Sequence, residues 1–146
     1  MIKCLSLIAF GALSLAAAPV QQPAPMAPRE AIVAAADAAP RPVPGIFAMR
    51  VAATGRVGPR IYLNSERDYR DQRNLSIEIS PWAAQQLAHR FGGAPETRLR
   101  GHDIEVRGQA RRVRIGFFDN FHRPTGLYYY QTHVAVTDAD QIRILD

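Results

Sequence analysis

Residues 75–93 read LSIEISPWAAQQLAHRFGG, and this stretch decides the fold because it joins a half-buried strand to a capped helix without a loop. Apolar and polar residues alternate from Leu75 to Ile79, which is the period of a strand with one face in a core. The alternation stops at Ser80, where a helical spacing begins. The stretch therefore predicts a strand followed directly by a helix.

The helix carries sequence signals at both ends. Ser80 suits the N-cap, and Pro81 suits the first helical position, where a missing N–H leaves no hydrogen bond unmade. Apolar residues then recur at helical spacing as far as Phe91, and Gly92 can adopt the left-handed conformation that ends a helix. We predict one helix that begins at Pro81 and ends at Phe91.

Strand patterns lie on both sides of this helix. The predicted strands are 46–53, 61–63, 75–79, 102–117 and 127–136, with a short final segment at 142–145. Five short strands with a helix between the third and fourth is the layout of a small OB-type barrel. The predicted fold class is therefore all-β with one helix, a small five-stranded OB-like barrel.

The fourth predicted strand contains a change of parity. Apolar residues occupy even positions from Ile104 to Ala110, but odd positions from Val113 onward. A β-bulge at Arg111 and Arg112 would return both halves to one face and bend the strand, as closure of a barrel requires. We therefore predict a bulge at these two arginines.

The amino-terminal part of the chain differs in composition from the rest. Residues 1–16 have the basic start, short apolar run and small-residue end of a signal peptide, which predicts export to the periplasm or the exterior. An uncleaved anchor is the alternative. Residues 17–44 are rich in proline and alanine and predict a disordered tail, with a weak helical patch at 29–39 as the alternative. The predicted domain is 45–146.

Cysteine and charge limit the chemistry. The single cysteine, Cys4, lies in the predicted signal, so the exported chain would lack disulfides, thiol nucleophiles and cysteine zinc sites. We predict no cofactor, no metal site and no stable membrane insertion after signal cleavage. The formal net charge is +5, and no lysine follows Lys3. Positive charge carried by arginine alone fits a GC-rich genome as well as it fits an anionic partner.

Three strings resemble the OB-fold domains of uncharacterised secreted bacterial proteins. They are YLNSERDYRDQRNLSIEIS at 62–80, LRGHDIEVRGQARRV at 99–113 and DADQIRIL at 138–145. Gly101, Ile104, Val106 and Gly108 match the strand pattern of that family, whereas His102 replaces its usual lysine. The resemblance implies an OB fold of the nucleic-acid-binding type and no particular activity, because OB folds bind nucleic acids, sugars and proteins alike.

An OB barrel binds ligands on strands two and three and on the loops beside them. Arginines next to aromatic rings suit single-stranded nucleic acid and protein hot spots equally. Solvated loops are the alternative reading. The candidate ligand-binding residues are Arg56, Arg60, Tyr62, Phe118, Phe121, His122, Arg123 and Tyr129.

Alternation divides the tyrosine run. It places Tyr128 and Tyr130 on one face, where we expect packing in the core or at the barrel rim, and leaves Tyr129 as the exposed ring. The neighbouring arginines, among them Arg112 and Arg114, are expected to form cross-strand ion pairs on a solvated face.

No histidine, cysteine or carboxylate spacing of a metal site occurs, and no catalytic constellation is recognised. The sequence therefore favours an exported, non-catalytic OB-fold module that binds an extended ligand, which would be a protein, an anionic polymer or single-stranded nucleic acid. The alternative is an accessory protein-interaction scaffold of the cell envelope, spaced from its partner by the Pro/Ala tail. A nuclease-like hydrolase is a third reading.

Overall fold

The computed structural model describes residues 23–145, so the predicted signal peptide at 1–16 lies outside the described residues. No helix within residues 23–145 combines the length and apolar character needed to cross a membrane. The helices are α1 (Pro28–Ala38), α2 (Pro81–Phe91) and α3 (Pro95–Arg98). The strands are β1 (Val43–Arg50), β2 (Ala53–Val57), β3 (Arg60–Asn64), β4 (Leu75–Ile79), β5 (Asp103–Phe118), β6 (Pro124–Val136) and β7 (Ile142–Ile144).

These strands form one sheet in the order β1-β5-β6-β4-β3-β2, and β7 pairs with β5. The pair β4 and β6 is parallel and the other pairs are antiparallel. The prediction of a mainly β fold is confirmed. Two finer parts of it are wrong: the described residues form seven strands and three helices, and the sheet is open, whereas five strands in a closed barrel with one helix were predicted.

The structure has two strands more than the five predicted. One is β7, which corresponds to the predicted short final segment, and the other arises because the first predicted strand, 46–53, changes partners between Val51 and Ala52. The N–H of Val51 donates to the carbonyl of His102, next to β5, whereas the N–H of Ala52 donates to the carbonyl of Asn64 on β3. The two edge strands of the sheet, β1 and β2, are therefore consecutive in the chain and separated by two residues. The predicted loop at 54–60, which follows the first predicted strand, instead forms most of β2 and a tight turn at Gly58, whose φ is 56°.

Helix α2 begins and ends where its local signals predict. The hydroxyl of Ser80 accepts a hydrogen bond of 3.2 Å from the N–H of Ala83, Pro81 is the first helical residue, and Gly92 adopts φ 65°. The buried side chains of Ala83 and Leu87 join the core. This prediction is confirmed.

Helix α1 lies within the predicted disordered tail, where the alternative, a helical patch at 29–39, agrees with the structure. Helix α1 packs against β1, β4 and β5, and both Ala31 and Ala35 are fully buried in the core. The carboxylate of Glu30 accepts a 2.8 Å hydrogen bond from the N–H of Ala27, which satisfies a backbone donor at the start of the helix. Alanine side chains let the helix approach the sheet closely, so the folded unit begins well before residue 45.

The predicted bulge at Arg111 and Arg112 is also wrong. Pairing between β5 and β6 continues without interruption from Ala110 to Gly116, and the irregularity lies between Gly116 and Phe118. The parity changes at Ala110 because the buried core ends there. Beyond it, Val113 and Ile115 are half-buried on the opposite face of the strand.

Candidate ligand-binding site

The hairpin of β5 and β6 extends beyond the rest of the sheet. Strand β1 reaches β5 only as far as the pair Val43↔Ala110, and β4 reaches β6 only as far as Leu75↔Thr132. Residues 111–131 therefore form a two-stranded ribbon with no described strand on either outer edge. We call these residues the arm.

One face of the arm carries two stacks of arginine on tyrosine. The guanidinium carbon of Arg112 lies 3.7 Å from the ring centroid of Tyr130, and that of Arg114 lies 4.0 Å from the ring centroid of Tyr128. The two rings meet edge to face at 5.5 Å. Cation–π contacts of this kind stabilise a ribbon that is too small to build a core of its own.

These stacks bear on two expectations. Tyr128 and Tyr130 are 49% and 39% exposed, so of the two expected positions, the core and the barrel rim, the core is excluded. Among the described residues neither Arg112 nor Arg114 forms an ion pair, and Glu105, on the same strand but well outside the arm, pairs with Arg143. Alternation in the sequence shows that these residues share one face of the strand. It does not show where along the strand the buried core ends.

Tyr129 lies on the other face and is not the exposed ring. Its ring centroid is 5.4 Å from that of Phe117, and its hydroxyl accepts a 2.7 Å hydrogen bond from Nε2 of Gln131. Burial raises the pKa of Tyr129. Gln131 also donates to the carbonyl of Tyr69, which joins the base of the arm to the loop between β3 and β4.

The tip of the arm is built around Asp119. One carboxylate oxygen accepts hydrogen bonds from the N–H groups of Phe121 and Arg123, at 2.8 and 2.9 Å, and the other accepts one from Nε of Arg123. The backbone bond from Arg123 is the main reason that the pKa of Asp119 lies below its usual value. His122 takes φ 59° in this turn, and the ring of Phe121 lies 5.0 Å from the Arg123 guanidinium.

The structure does not bring the two groups of predicted site residues together. The residues of the carboxyl-terminal group, Phe118, Phe121, His122 and Arg123, lie at the tip of the arm. Arg60 lies at the far end of the sheet, where Ile61 pairs with Ile79 and Ile79 with Val136. Val136 is separated from Pro124 by about 40 Å of strand at roughly 3.3 Å per residue.

Both arginines of the amino-terminal group are held by carboxylates. Arg60 forms a short ion pair with Glu78, and Arg56 donates to one oxygen of Glu96. Burial raises the pKa of Glu96, but the hydrogen bonds from Arg56 and the backbone outweigh it, so this pKa lies below its usual value. Both guanidinium groups are therefore already paired with a carboxylate at this end of the sheet.

Tyr62 belongs to a polar network on the outer face of β3, β4 and β6. Its ring centroid is 6.0 Å from that of His133, edge to face. His133 places Nδ1 3.5 Å from a carboxylate oxygen of Glu78 and Nε2 2.7 Å from the side-chain oxygen of Gln131. Burial is the main reason that the pKa of Tyr62 lies above its usual value, and the charge of Glu78 raises this pKa further.

Acidification is expected to destabilise the protein through His133. Burial lowers the pKa of His133 below its usual value of 6.5, and the contact with Glu78 offsets this only in part. The unfolded chain therefore binds a proton near pH 6.5 that the folded state excludes, so stability is complete above that pH and falls below it. Urea unfolding at about pH 7.5 and about pH 5.5 measures the loss.

The replacement His133→Gln should remove most of this pH dependence. The exposed His89 supplies the matched control, since His89→Gln should leave the dependence as it is in the parent chain. An unchanged dependence in the His133 variant would assign the acid sensitivity to another group.

Searches for related proteins do not identify a family. No protein-family model matches the chain, and no curated protein matches it. Within the described part of the chain, no group of three or more histidine, cysteine or carboxylate side chains could hold a metal ion. The arm is therefore interpreted from its own geometry.

Proposed function

We propose that the chain is an exported, non-catalytic binding module of OB type that holds an extended anionic ligand along the arm. The OB-type interpretation is supported by the order of the strands, with α2 joining β4 to β5, β4 parallel to β6, and a first strand divided into β1 and β2. Export is inferred from the signal-like residues 1–16.

The observation that carries the proposal is the pair of arginine–tyrosine stacks. Guanidinium groups bind phosphate, sulfate and carboxylate, and exposed tyrosine rings offer flat surfaces to bases and sugars. The guanidinium groups of Arg112 and Arg114 are not engaged by any described carboxylate. The two stacks lie on alternate residues of one strand, about 6.8 Å apart, so a single extended polymer can contact both.

The charge of the arm supports an anionic ligand. Residues 111–131 contain four arginines and one aspartate, and therefore carry a side-chain charge of +3. The aspartate, Asp119, is already bonded to Arg123 and to backbone N–H groups. The rest of the arm presents only positive and neutral groups to a ligand.

Titration of residues 17–146 with a fluorescent single-stranded oligonucleotide and with an anionic polysaccharide tests the proposal. This chain keeps every described element, including α1, which a chain starting at residue 45 would lose. The double variant Arg112→Gln, Arg114→Gln should weaken binding at least about tenfold. It should also reduce the slope of log affinity against log salt by about 1.4, for two lost contacts at roughly 0.7 each with a single strand.

The control is Arg29→Gln, Arg100→Gln, which changes the net charge equally at exposed positions outside the arm. This control should lose much less affinity. Equal losses in the two variants, or no binding of either polymer at low salt, would contradict the proposal.

A protein-interaction scaffold is the second candidate. It is favoured by the exposed rings of Phe118 and Phe121, since aromatic side chains dominate protein-binding hot spots. A Pro/Ala spacer cannot include residues 28–38, because α1 is packed into the core. Absence of polymer binding, with a partner recovered by cross-linking through the tip, would favour this second candidate.

A further inference from the structure

The tip of the arm concentrates apolar surface that nothing described covers. The exposed fractions are 64% for Phe118, 77% for Phe121 and 69% for Leu127, and Phe117 beside them is 45% exposed. All of these lie beyond the arginine–tyrosine stacks, at the end of the ribbon furthest from the core. A cluster of large exposed apolar side chains at a projecting end is typical of an interaction surface.

Several backbone groups of the tip are hydrogen-bonded within the tip itself. The N–H of Asp119 donates to the carbonyl of Arg123 at 2.9 Å, and the N–H of His122 donates to the carbonyl of Asp119 at 2.9 Å. The Asp119 carboxylate accepts from two further N–H groups in the same turn. An N–H group without a hydrogen-bond partner has a high free energy in an apolar medium. Donors that are already paired within the loop therefore reduce the free-energy cost of moving the loop out of water.

The closing part of the hairpin follows the same pattern. The hydroxyl of Thr125 donates to the carbonyl of Phe117 at 2.9 Å and accepts from the N–H of Leu127 at 3.2 Å. This bridge satisfies one carbonyl and one N–H where the two strands meet. These polar groups beside the exposed rings are therefore partnered within the tip.

Positive charge lies directly behind this apolar tip. Arg112 and Arg114 follow on one face of the ribbon, and Arg111 on the other, while Arg123 lies in the turn itself. The arm has no carboxylate other than Asp119. Apolar side chains at an end with arginines behind them match the layers of an anionic bilayer, in which acyl chains lie beneath negatively charged headgroups.

We propose that the tip of the arm is a peripheral anchor for an anionic phospholipid surface. Phe118, Phe121 and Leu127 enter the boundary between headgroups and acyl chains, and the arginines contact the headgroups. The contact is shallow and reversible by salt, which distinguishes it from a spanning segment. Its apolar part is the tip, which the proposed polymer site does not use, whereas the arginines behind the tip, including Arg112 and Arg114, are shared by both sites.

The test uses residues 17–146 and vesicles of phosphatidylcholine, alone or mixed with phosphatidylglycerol. The only tryptophan, Trp82, is exposed and lies in the first turn of α2, which follows the end of β4 that is furthest from the arm. Trp82→Phe combined with Phe121→Trp therefore places the one fluorescent indole in the tip. We expect a blue shift, and quenching by nitroxide-labelled lipid, with the anionic vesicles and not with phosphatidylcholine alone.

Co-sedimentation measures the contribution of the apolar side chains. The variant Phe121→Ser, Leu127→Ser should bind anionic vesicles at least about tenfold more weakly. The matched control is Val57→Ser, which removes an equally exposed apolar side chain, 69% exposed, at the far end of the sheet, and should bind as the parent does.

Three results would overturn the proposal: no vesicle binding, equal losses in the tip and control variants, or binding without a shift of the indole at position 121. The third would indicate an electrostatic contact through the arginines alone, and the first would leave a protein as the partner of the tip. The single variant Leu127→Ser changes none of the candidate ligand-binding residues and should still bind the oligonucleotide, so failure of the anchor and failure of the polymer site are distinguishable.

Discussion

The replacement Ala35→Glu is expected to unfold or severely destabilise the protein, with a loss of more than about 3 kcal/mol of unfolding free energy. Ala35 is fully buried where α1 packs on the sheet. A glutamate there would bury an unpaired charge and overfill a site that fits a methyl group. Guanidinium unfolding followed by circular dichroism measures the change.

The neighbouring residue gives a matched control. Ala36 is exposed on the same helix, so Ala36→Glu should change stability by no more than about 0.5 kcal/mol. Equal stability of the two variants would mean that α1 is not part of the core. That outcome would restore a folded unit beginning near residue 45.

The second large effect is expected from Asn74→Ala, at about 2–4 kcal/mol. The side-chain amide of Asn74 donates to the side chains of Asn64 and Ser76 at 3.1 and 2.9 Å, and to the carbonyl of Tyr69 at 3.4 Å. Its oxygen accepts from the N–H of Glu66 at 3.1 Å. Alanine would leave these buried or half-buried groups without their partner.

The replacement Asn74→Ala should loosen the neighbouring loop as well as lower the free energy of unfolding of the whole protein. The side chain of Asn74 holds the loop at 65–74 through its hydrogen bonds to Glu66 and Tyr69. Hydrogen exchange in this loop should therefore accelerate more than exchange in β4. Asn120 lies exposed at the tip of the arm, and Asn120→Ala should be neutral to within about 0.5 kcal/mol. Unchanged exchange in the loop of the Asn74 variant would show that the loop is held by other contacts.

Features set by neighbouring residues could be predicted from the sequence. Helix α2 is bounded by Ser80, Pro81 and Gly92, and each acts through the backbone next to it. The alternation in β4 likewise depends only on which face is buried. Such local signals predict a helix or a strand correctly without knowledge of the rest of the fold.

Features set by distant partners could not. Val51 and Ala52 divide a strand because their hydrogen bonds go to His102 and Asn64, and no local signal marks those partners. Alternation showed that Tyr128 and Tyr130 share a face, but only the end of β1 at Val43 and of β4 at Leu75 determines that this face is exposed. Helix α1 lies on the helical patch at 29–39 that was the alternative, but its packing into the core could not be predicted, because buried alanines resemble a low-complexity tail in composition.

The unpaired edges of the arm affect the tendency of two molecules to aggregate by pairing their strands. Each arm presents two rows of backbone donors and acceptors to which a strand of a second molecule could add. Arms of two molecules carry the same charge of +3 and therefore repel each other at close range. The arginines that we assign to ligand binding thus also protect the protein against edge-to-edge aggregation, and replacing them all by neutral residues would remove that protection.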